Sequence, residues 1–96
     1  MYKIKDFGIF LEKVLKRTNK PSVIGNLAFK EYHNNLPDVE KEVQDIAITL
    51  SSMEDGIEFE YSIDELHEIA KRLTEGDITV TRIGFDQKVN LKTSKT

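Results

Sequence analysis

The chain has 96 residues, of which 39% are hydrophobic and 32% are charged, and it contains no cysteine. This length suits one domain with one core, and the absent thiols exclude disulfides and thiolate metal sites. No apolar stretch approaches the roughly 20 residues that span a bilayer, and the N-terminal residues lack the pattern of a secretory signal. The sequence therefore predicts a cytoplasmic protein without a membrane partner.

The net charge of −3 conceals an uneven distribution of charge along the chain. Counting Lys and Arg against Asp and Glu, residues 1–36 carry +4, residues 37–76 carry −9 and residues 77–96 carry +2. Such asymmetry bears on partners and association rates and not on the fold. The charged regions are therefore where we look first for a binding function.

Two amphipathic helices are predicted in the N-terminal third of the chain. From Asp6 to Arg17, apolar residues recur three or four positions apart, which lines one face of a helix. Asp6 is expected to cap the start of this helix, and the basic residues at its end suit the helix dipole. A second helix is predicted over about residues 22–33. Gly25 lowers the stability of this helix by about 1 kcal/mol relative to alanine.

A third helix is predicted after a break at residues 34–37. Pro37 suits the first helical turn, because the N–H that proline lacks has no intrahelical partner there, and we place the start of the helix at this residue. Apolar residues continue at helical spacing from Val39 to Met53, and the sequence Glu54-Asp55-Gly56 ends the pattern.

The spacing of apolar residues changes at residue 57. Ile57, Phe59 and Tyr61 alternate with Glu58 and Glu60, which is the pattern of a strand with one buried face. The alternation therefore predicts a β-strand that presents its two carboxylates to solvent.

A fourth helix and two further strands complete the predicted elements. Ser62 and Glu65 have the spacing of a capping box at the start of the helix. Gly76 stands where a helix ends with a residue of positive φ. Strands are then expected at residues 78–82 and 89–91.

The predicted fold is α+β, in the order α-α-α-β-α-β-β, with about four helices packed on a small antiparallel sheet. One domain is expected over residues 1–92, followed by a frayed polar tail at 93–96. The inward faces of the predicted elements define one core, and its expected members are Phe10, Leu11, Ile46, Leu50, Phe59, Leu66, Ile69 and Leu73.

The sequence contains no recognisable catalytic motif. Histidine is the commonest general base, and only His33 and His67 are present. His67 and Glu68 begin like the zinc-protease motif His-Glu-x-x-His, but Lys71 stands where the second metal ligand belongs. The scattered glycines form no phosphate-binding loop. We therefore expect no enzyme activity, no metal and no cofactor.

The strongest signal is the acidic segment, residues 54–68, which holds seven carboxylates within fifteen residues. Their alternation with apolar residues is expected to set them on one solvent side, where they suit a basic surface or, by mimicking DNA, a nucleic-acid-binding cleft. We expect a non-enzymatic inhibitor, immunity or anti-restriction protein whose partner is a basic, nucleic-acid-handling protein. The expected partner-binding residues are Glu54, Asp55, Glu58, Glu60, Asp64, Glu65 and Glu68.

Two alternatives stay open on the sequence alone. The acidic segment is also typical of a solvated surface that binds nothing. Three successive helices, in turn, admit a small transcription regulator that binds nucleic-acid phosphates through its basic N-terminal helices. The third and fourth predicted helices are acidic, so we expect no direct nucleic-acid binding. The basic residues concerned are Lys3, Lys5, Lys13, Lys16, Arg17, Lys20 and Lys30.

Self-association into a homodimer is also predicted. A small sheet leaves edges that must be covered or paired, and Val80, Val89 and Leu91 lie near the expected edge. A two-fold axis would in addition bring the basic end of one copy to the acidic middle of the other.

Overall fold

The computed structural model describes residues 1–56, 58 and 60–77. Within these residues the chain forms four α-helices, and a short 3₁₀ helix, Ser52–Glu54, extends the third. No strand forms there, apart from one isolated parallel bridge between Tyr2 and Val39. The described part is therefore a helical domain, and the predicted α+β fold is wrong. The helices are α1 (Ile4–Arg17), α2 (Pro21–Asn34), α3 (Lys41–Ser51) and α4 (Ile63–Thr74).

Helix α1 occupies the centre of this arrangement. It packs mainly on α4 and also contacts α2 and α3, while α2 and α3 pack on each other. Phe7 of α1 is fully buried, and its ring stacks on Phe10 with the ring centroids 6.2 Å apart. Buried apolar side chains from all four helices form one cluster, so a single core holds both helix pairs together.

Two glycines allow the helices to approach each other closely. A Cβ added at Gly8 would lie 2.6 Å from the backbone nitrogen of Thr74 in α4. A Cβ added at Gly25 would collide with the backbone carbonyl of Leu50 in α3. These contacts have room only for a residue without a side chain, so glycine is required where α1 meets α4 and where α2 meets α3.

The start of α3 differs from the prediction. The helix begins four residues after Pro37, which follows a cis peptide bond. The intervening residues run beside the N-terminal segment: the Tyr2 N–H donates to the Asp38 carbonyl at 2.8 Å, and the Glu40 N–H donates to the Tyr2 carbonyl at 3.0 Å. These hydrogen bonds hold the backbone extended, and the helix therefore starts only after them.

The start of α1 also differs, by two residues. Asp6 lies inside the first turn instead of capping the helix, and its carboxylate accepts a hydrogen bond of 2.9 Å from the Lys3 N–H. The Glu40 carboxylate accepts another, of 3.0 Å, from the Ile4 N–H. Two carboxylates thus satisfy N–H groups that have no partner within the helix.

The strand predicted over residues 57–61 is absent at those of its positions that the structure describes. Tyr61 is buried, and the described residues 58, 60 and 61 do not belong to a strand. The alternation of apolar residues therefore marks a connection between two helices, in which Tyr61 enters the core. Outside the described residues lie Ile57, Phe59, the predicted strands 78–82 and 89–91, the predicted edge residues Val80, Val89 and Leu91, and the tail 93–96.

The structure confirms the sequence signals at both ends of α4, the capping box at its start and Gly76 after its end. Ser62 Oγ accepts a hydrogen bond of 3.1 Å from the Glu65 N–H, and Glu65 Oε1 accepts one of 2.7 Å from the Ser62 N–H, which completes the capping box. At the other end Gly76 adopts a φ of 80°. Its N–H and the next one donate to carbonyls of the last helical turn at 2.9 and 3.0 Å, the pattern of a Schellman motif.

The predicted core is confirmed for most of its members. Phe10 is half-buried and packs against the margin of the core. Met53 and Tyr61 are further buried residues that the prediction of eight did not include. The predicted members that the structure buries are Leu11, Ile46, Leu50, Leu66, Ile69 and Leu73.

The substitution Gly25→Ala tests the close contact between α2 and α3. Helix propensity alone predicts that alanine stabilises the domain by about 1 kcal/mol. Because the new Cβ meets the Leu50 carbonyl, we expect a loss of roughly 1–3 kcal/mol, as at other overpacked sites. Urea unfolding measures the difference, with Ser22→Ala at an exposed position of α2 as the control. A more stable Gly25→Ala variant would show that the two helices have room to spare.

The substitutions Leu66→Ala and Ile69→Ala test the buried side of α4. Each should lower the free energy of unfolding by about 2–5 kcal/mol, because it removes apolar contacts and leaves a cavity. His67→Ala, at an exposed position of the same helix, should stay within about 0.5 kcal/mol of the parent. Equal stability of all three variants in urea would mean that another side of the helix faces the core.

Candidate functional site

The acidic segment, residues 54–68, begins in the 3₁₀ helix and ends within α4. Met53 directly before it and Tyr61 in its middle are buried, with 1% and 3% of their surfaces exposed. Burial, and to a lesser degree the charge of Glu65, raises the pKa of Tyr61 to about 12. These two side chains anchor the segment to the core, and the carboxylates are carried by residues around them.

The seven carboxylates of the segment lie at or near the protein surface. Glu60 and Glu65 are half-buried. The other five are exposed, and these are Glu54, Asp55, Glu58, Asp64 and Glu68. The segment therefore presents its charge to solvent from a helix-to-helix connection and the start of α4.

Three of the seven carboxylates have partners within the chain. Glu65 accepts the capping-box hydrogen bond, and Glu54 accepts one of 3.2 Å from the side-chain amide of Asn26 in α2. Glu68 forms an ion pair of 2.8 Å with Arg72, one helical turn further on. The hydrogen bond from Arg72 holds the pKa of Glu68 below its ordinary value. Glu65 thus has a structural role, and Glu54 links the segment to α2.

The other four carboxylates have no hydrogen bond or ion pair with any residue that the structure describes. They are Asp55, Glu58, Glu60 and Asp64. The Glu58 carboxylate lies against Gly56, where an added Cβ would stand 2.8 Å from Glu58 Oε2. These groups can accept hydrogen bonds from an external cation without first giving up a hydrogen bond or ion pair with a described residue.

The structure supports the carboxylates from two parts of the core. Glu54 lies beside α2, because the 3₁₀ helix packs on that helix. Asp64 and Glu68 lie on α4, which packs on α1. The sequence interpretation placed all seven carboxylates on one solvent side, whereas their supporting elements belong to both helix pairs.

Two contacts of the acidic segment were missed by the sequence interpretation. Glu68 and Arg72 stand four residues apart with the acid first, which is a local signal for a helical ion pair. The contact between Asn26 and Glu54 joins residues 28 positions apart and has no local signal. The first was therefore predictable from spacing, and the second required the packing of α2.

The two histidines are exposed and lie on different helices. The His33 ring contacts the ring of Phe29, with centroids 5.3 Å apart, and that of Tyr32, with centroids 6.1 Å apart. His67 lies on the solvent side of α4. Among the described residues, no three His, Asp or Glu side chains come together in a way that could hold a metal ion.

The basic N-terminal residues form a second charged region. Lys5 extends over Gly76 at the C-terminal end of α4, where an ammonium group suits the negative end of the helix dipole. Glu12 lies among the lysines of α1 and is also exposed. All seven basic residues of this region are exposed, namely Lys3, Lys5, Lys13, Lys16, Arg17, Lys20 and Lys30.

None of the helices within residues 1–77 that the structure describes is long and apolar enough to span a bilayer. The chain matches no protein-family model, no curated protein and no solved structure. The geometry and charges of the described residues are therefore what indicates a function for it.

The substitution Glu65→Ala tests which carboxylates have a structural role. It removes half of the capping box, so we expect the free energy of unfolding to fall by about 0.5–2 kcal/mol, as for other lost caps. Glu65→Gln retains an oxygen acceptor and should recover most of this loss. Glu58→Ala, which removes a carboxylate without such a partner, should stay within about 0.5 kcal/mol of the parent. Equal unfolding curves for both alanine variants would show that Glu65 has no structural role and that its carboxylate can bind a partner.

Proposed function

We propose that this chain is a non-enzymatic binding protein of the inhibitor, immunity or anti-restriction type. Its acidic segment docks onto a basic, nucleic-acid-handling protein. Asp55, Glu58, Glu60 and Asp64 are the carboxylates that reach the partner, while Glu65 stays at the helix cap. The remaining exposed carboxylates of the segment contribute charge around them.

The observation that carries this proposal is a set of carboxylates without a hydrogen bond or ion pair to any described residue, in a segment that has the buried side chain of Met53 before it and that of Tyr61 within it. Met53 and Tyr61 are buried on either side of Asp55, Glu58 and Glu60, and Asp64 lies in the first turn of α4. Preorganised groups lose less conformational entropy on binding than groups on a flexible chain. The segment is thus suited to binding a fixed arrangement of cations.

The charge of the segment supports a basic partner. Residues 37–76 carry −9, and such a concentration of one sign accelerates the encounter with a surface of opposite sign. Lys and Arg side chains that bind nucleic-acid phosphates bind carboxylates by the same charge-assisted hydrogen bonds. A nucleic-acid-binding cleft therefore offers the complementary surface, and the acidic segment would occupy it in place of DNA.

The exposed basic residues of α1 support a second candidate, a nucleic-acid-binding regulator. In that case α2, α3 or α4 would serve as the recognition helix. The acceptable charge of α2 rests on Lys30 and Asn26, and its outer face is thin in donors, while α3 exposes Asp45 and α4 exposes Asp64 and Glu68. Carboxylates on the recognition helix repel phosphates, so the acidic segment is the better candidate site. Retention of the chain on immobilised polynucleotide at low salt, with release as salt rises, would favour this second function.

A variant with three neutralised carboxylates tests the proposed function. Combining Asp55→Asn, Glu58→Gln and Asp64→Asn should barely change the melting temperature, because each site is exposed. Capture of basic proteins from a lysate should fall, and association with the captured partner should become slower and less dependent on salt. Surface-binding kinetics at two salt concentrations measure both effects.

The matched control removes three negative charges from other surfaces. It combines Glu12→Gln on α1, Asp45→Asn on α3 and Glu75→Gln after α4, all at exposed positions. The control should bind as the parent does, because the acidic segment is intact. Equal association rates for parent and test variant would show that the segment is only solvated. Equal loss in both variants would show that net charge matters and the segment does not.

A further inference from the structure

Helices α1 and α4 both expose charged residues of mixed sign. The exposed residues of α1 that matter here, called the α1 face, are Lys5, Ile9, Glu12, Lys13 and Lys16. Those of α4 and its C-terminal cap, called the α4 face, are Asp64, Glu68, Lys71 and Glu75. The α1 face is mainly basic with one acid, and the α4 face is mainly acidic with one base.

The packing contacts fix the relative direction and level of the two helices. Gly8 lies against Thr74, and the Lys5 side chain lies over Gly76, so α1 and α4 run antiparallel. Each residue advances a helix by about 1.5 Å. Two residues are at the same level when they lie at the same distance along the axis of the helix pair. Six residues after Gly8 is Val14, and six residues before Thr74 is Glu68, so these two residues are at the same level, about 9 Å from the contact between Gly8 and Thr74.

At four levels along the helix pair the two faces carry opposite charges. The sequence order alone does not reveal this, because it appears only once the antiparallel direction and level are known. Along the helix pair the matching residues are Lys5 with Glu75, Glu12 with Lys71, Lys13 with Glu68, and Lys16 with Asp64.

These charges are not paired with each other inside one chain. Among the residues that the structure describes, no ion pair joins α1 to α4, and the Glu68–Arg72 pair lies within α4. Ile9, in the middle of the α1 face, has 48% of its surface exposed. The helix pair thus has four complementary charged levels, at one of which Glu68 already pairs with Arg72 of its own helix, and one exposed apolar side chain.

We propose that a second copy of this chain covers the two faces. A two-fold axis parallel to the helices would place α1 of each copy over α4 of the other, antiparallel and at the same level as within one chain. All four complementary pairs would then form twice, once on each side of the axis. Ile9 of each copy would be removed from water at the centre of the contact.

The size of the contact predicts a weak dimer. A helix of 14 residues is about 21 Å long, and two helices side by side are about 20 Å wide, so each copy contributes roughly 400 Å². A stable interface buries about 800 Å² per partner. The dimer should therefore depend on its charges, form at micromolar or higher concentration, and dissociate as salt is added.

This inference goes beyond the proposed function, because it requires no partner protein. The two share Asp64 and Glu68, so a basic partner bound at α4 would compete with the second copy. Failure of the dimer leaves the proposed function intact, since the latter is judged by capture of a different protein.

Sedimentation of charge-reversed variants tests the proposal. The α1 variant combines Lys13→Glu with Lys16→Glu, and the α4 variant combines Asp64→Lys with Glu68→Lys. The parent should form a dimer at about 10 mM salt and a monomer at about 1 M, where the screening length falls from about 30 to 3 Å. Each variant alone should dimerise at least about tenfold more weakly. An equimolar mixture should associate again, because every reversed face then meets its complement.

The controls separate the two faces from net charge and from folding. Lys30→Glu combined with Lys41→Glu gives the same net charge as the α1 variant from exposed positions on α2 and α3, and should dimerise as the parent does. If the reversed α4 variant does not fold by circular dichroism, Asp64→Asn with Glu68→Gln replaces it and must weaken the dimer. A monomeric parent at low salt, or a monomeric mixture of folded variants, would overturn the proposal.

Discussion

Phe7 lies where α1 meets the N-terminal segment, and its side chain is entirely removed from water. Its ring stacks on Phe10 and meets the edge of the Tyr2 ring, with centroids 6.4 Å apart. The Tyr2 hydroxyl in turn donates a hydrogen bond of 2.8 Å to Glu31 of α2, and burial together with this bond raises the pKa of Tyr2. Burying one such side chain contributes about 1.5–3 kcal/mol, a large part of the stability of a small domain.

The central position of α1 constrains the rest of the chain through this contact. Tyr2 meets Phe7 while its backbone pairs with residues 38–40, and that pairing holds the chain extended up to the start of α3. On its other side α1 approaches α4 closely enough to require glycine at position 8. One side of α1 is therefore fixed by the core, while its exposed side is free to carry charges that the fold does not need.

The sequence was sufficient to predict the structure where that structure depends on residues that are close together along the chain. The spacing of apolar residues predicted α1, α2 and α4, and the capping box and Gly76 predicted both ends of α4. Prediction from the sequence failed where contacts between residues far apart along the chain determine the local structure. Pro37 is compatible with a helical turn, but Tyr2, which lies far away in sequence, holds the following residues extended.

The prediction of a strand from the alternation of apolar residues over 57–61 failed for a different reason. Five residues with apolar side chains at alternate positions suit a strand, but a strand also requires a neighbour for its backbone groups. Among the described residues of that stretch, Tyr61 enters the core of a helical domain. Gly25 shows the converse, because a residue interpreted as a weak point of α2 is a requirement for its contact with α3.

The candidate site was predictable in part. Charged side chains at a surface follow from composition, and the structural role of Glu65 follows from its spacing to Ser62. The division between partnered and unpartnered carboxylates does not follow from the sequence, because Glu54 is bound by Asn26 of another helix. A role in binding is therefore best sought at Asp55, Glu58 and Asp64, whose side chains form no cap and no hydrogen bond or ion pair with another described residue.

Self-association and partner binding would be linked through the carboxylates of α4. Below the dissociation constant of the proposed dimer the monomer would prevail, and the carboxylates of α4 would be open to a basic partner. Above it, part of the binding free energy of that partner is spent on separating the two copies, so its apparent affinity falls as the concentration of the chain rises. Because both proposed contacts depend on charge, added salt would weaken each of them. The competition is therefore strongest at low ionic strength, where the dimer is most stable.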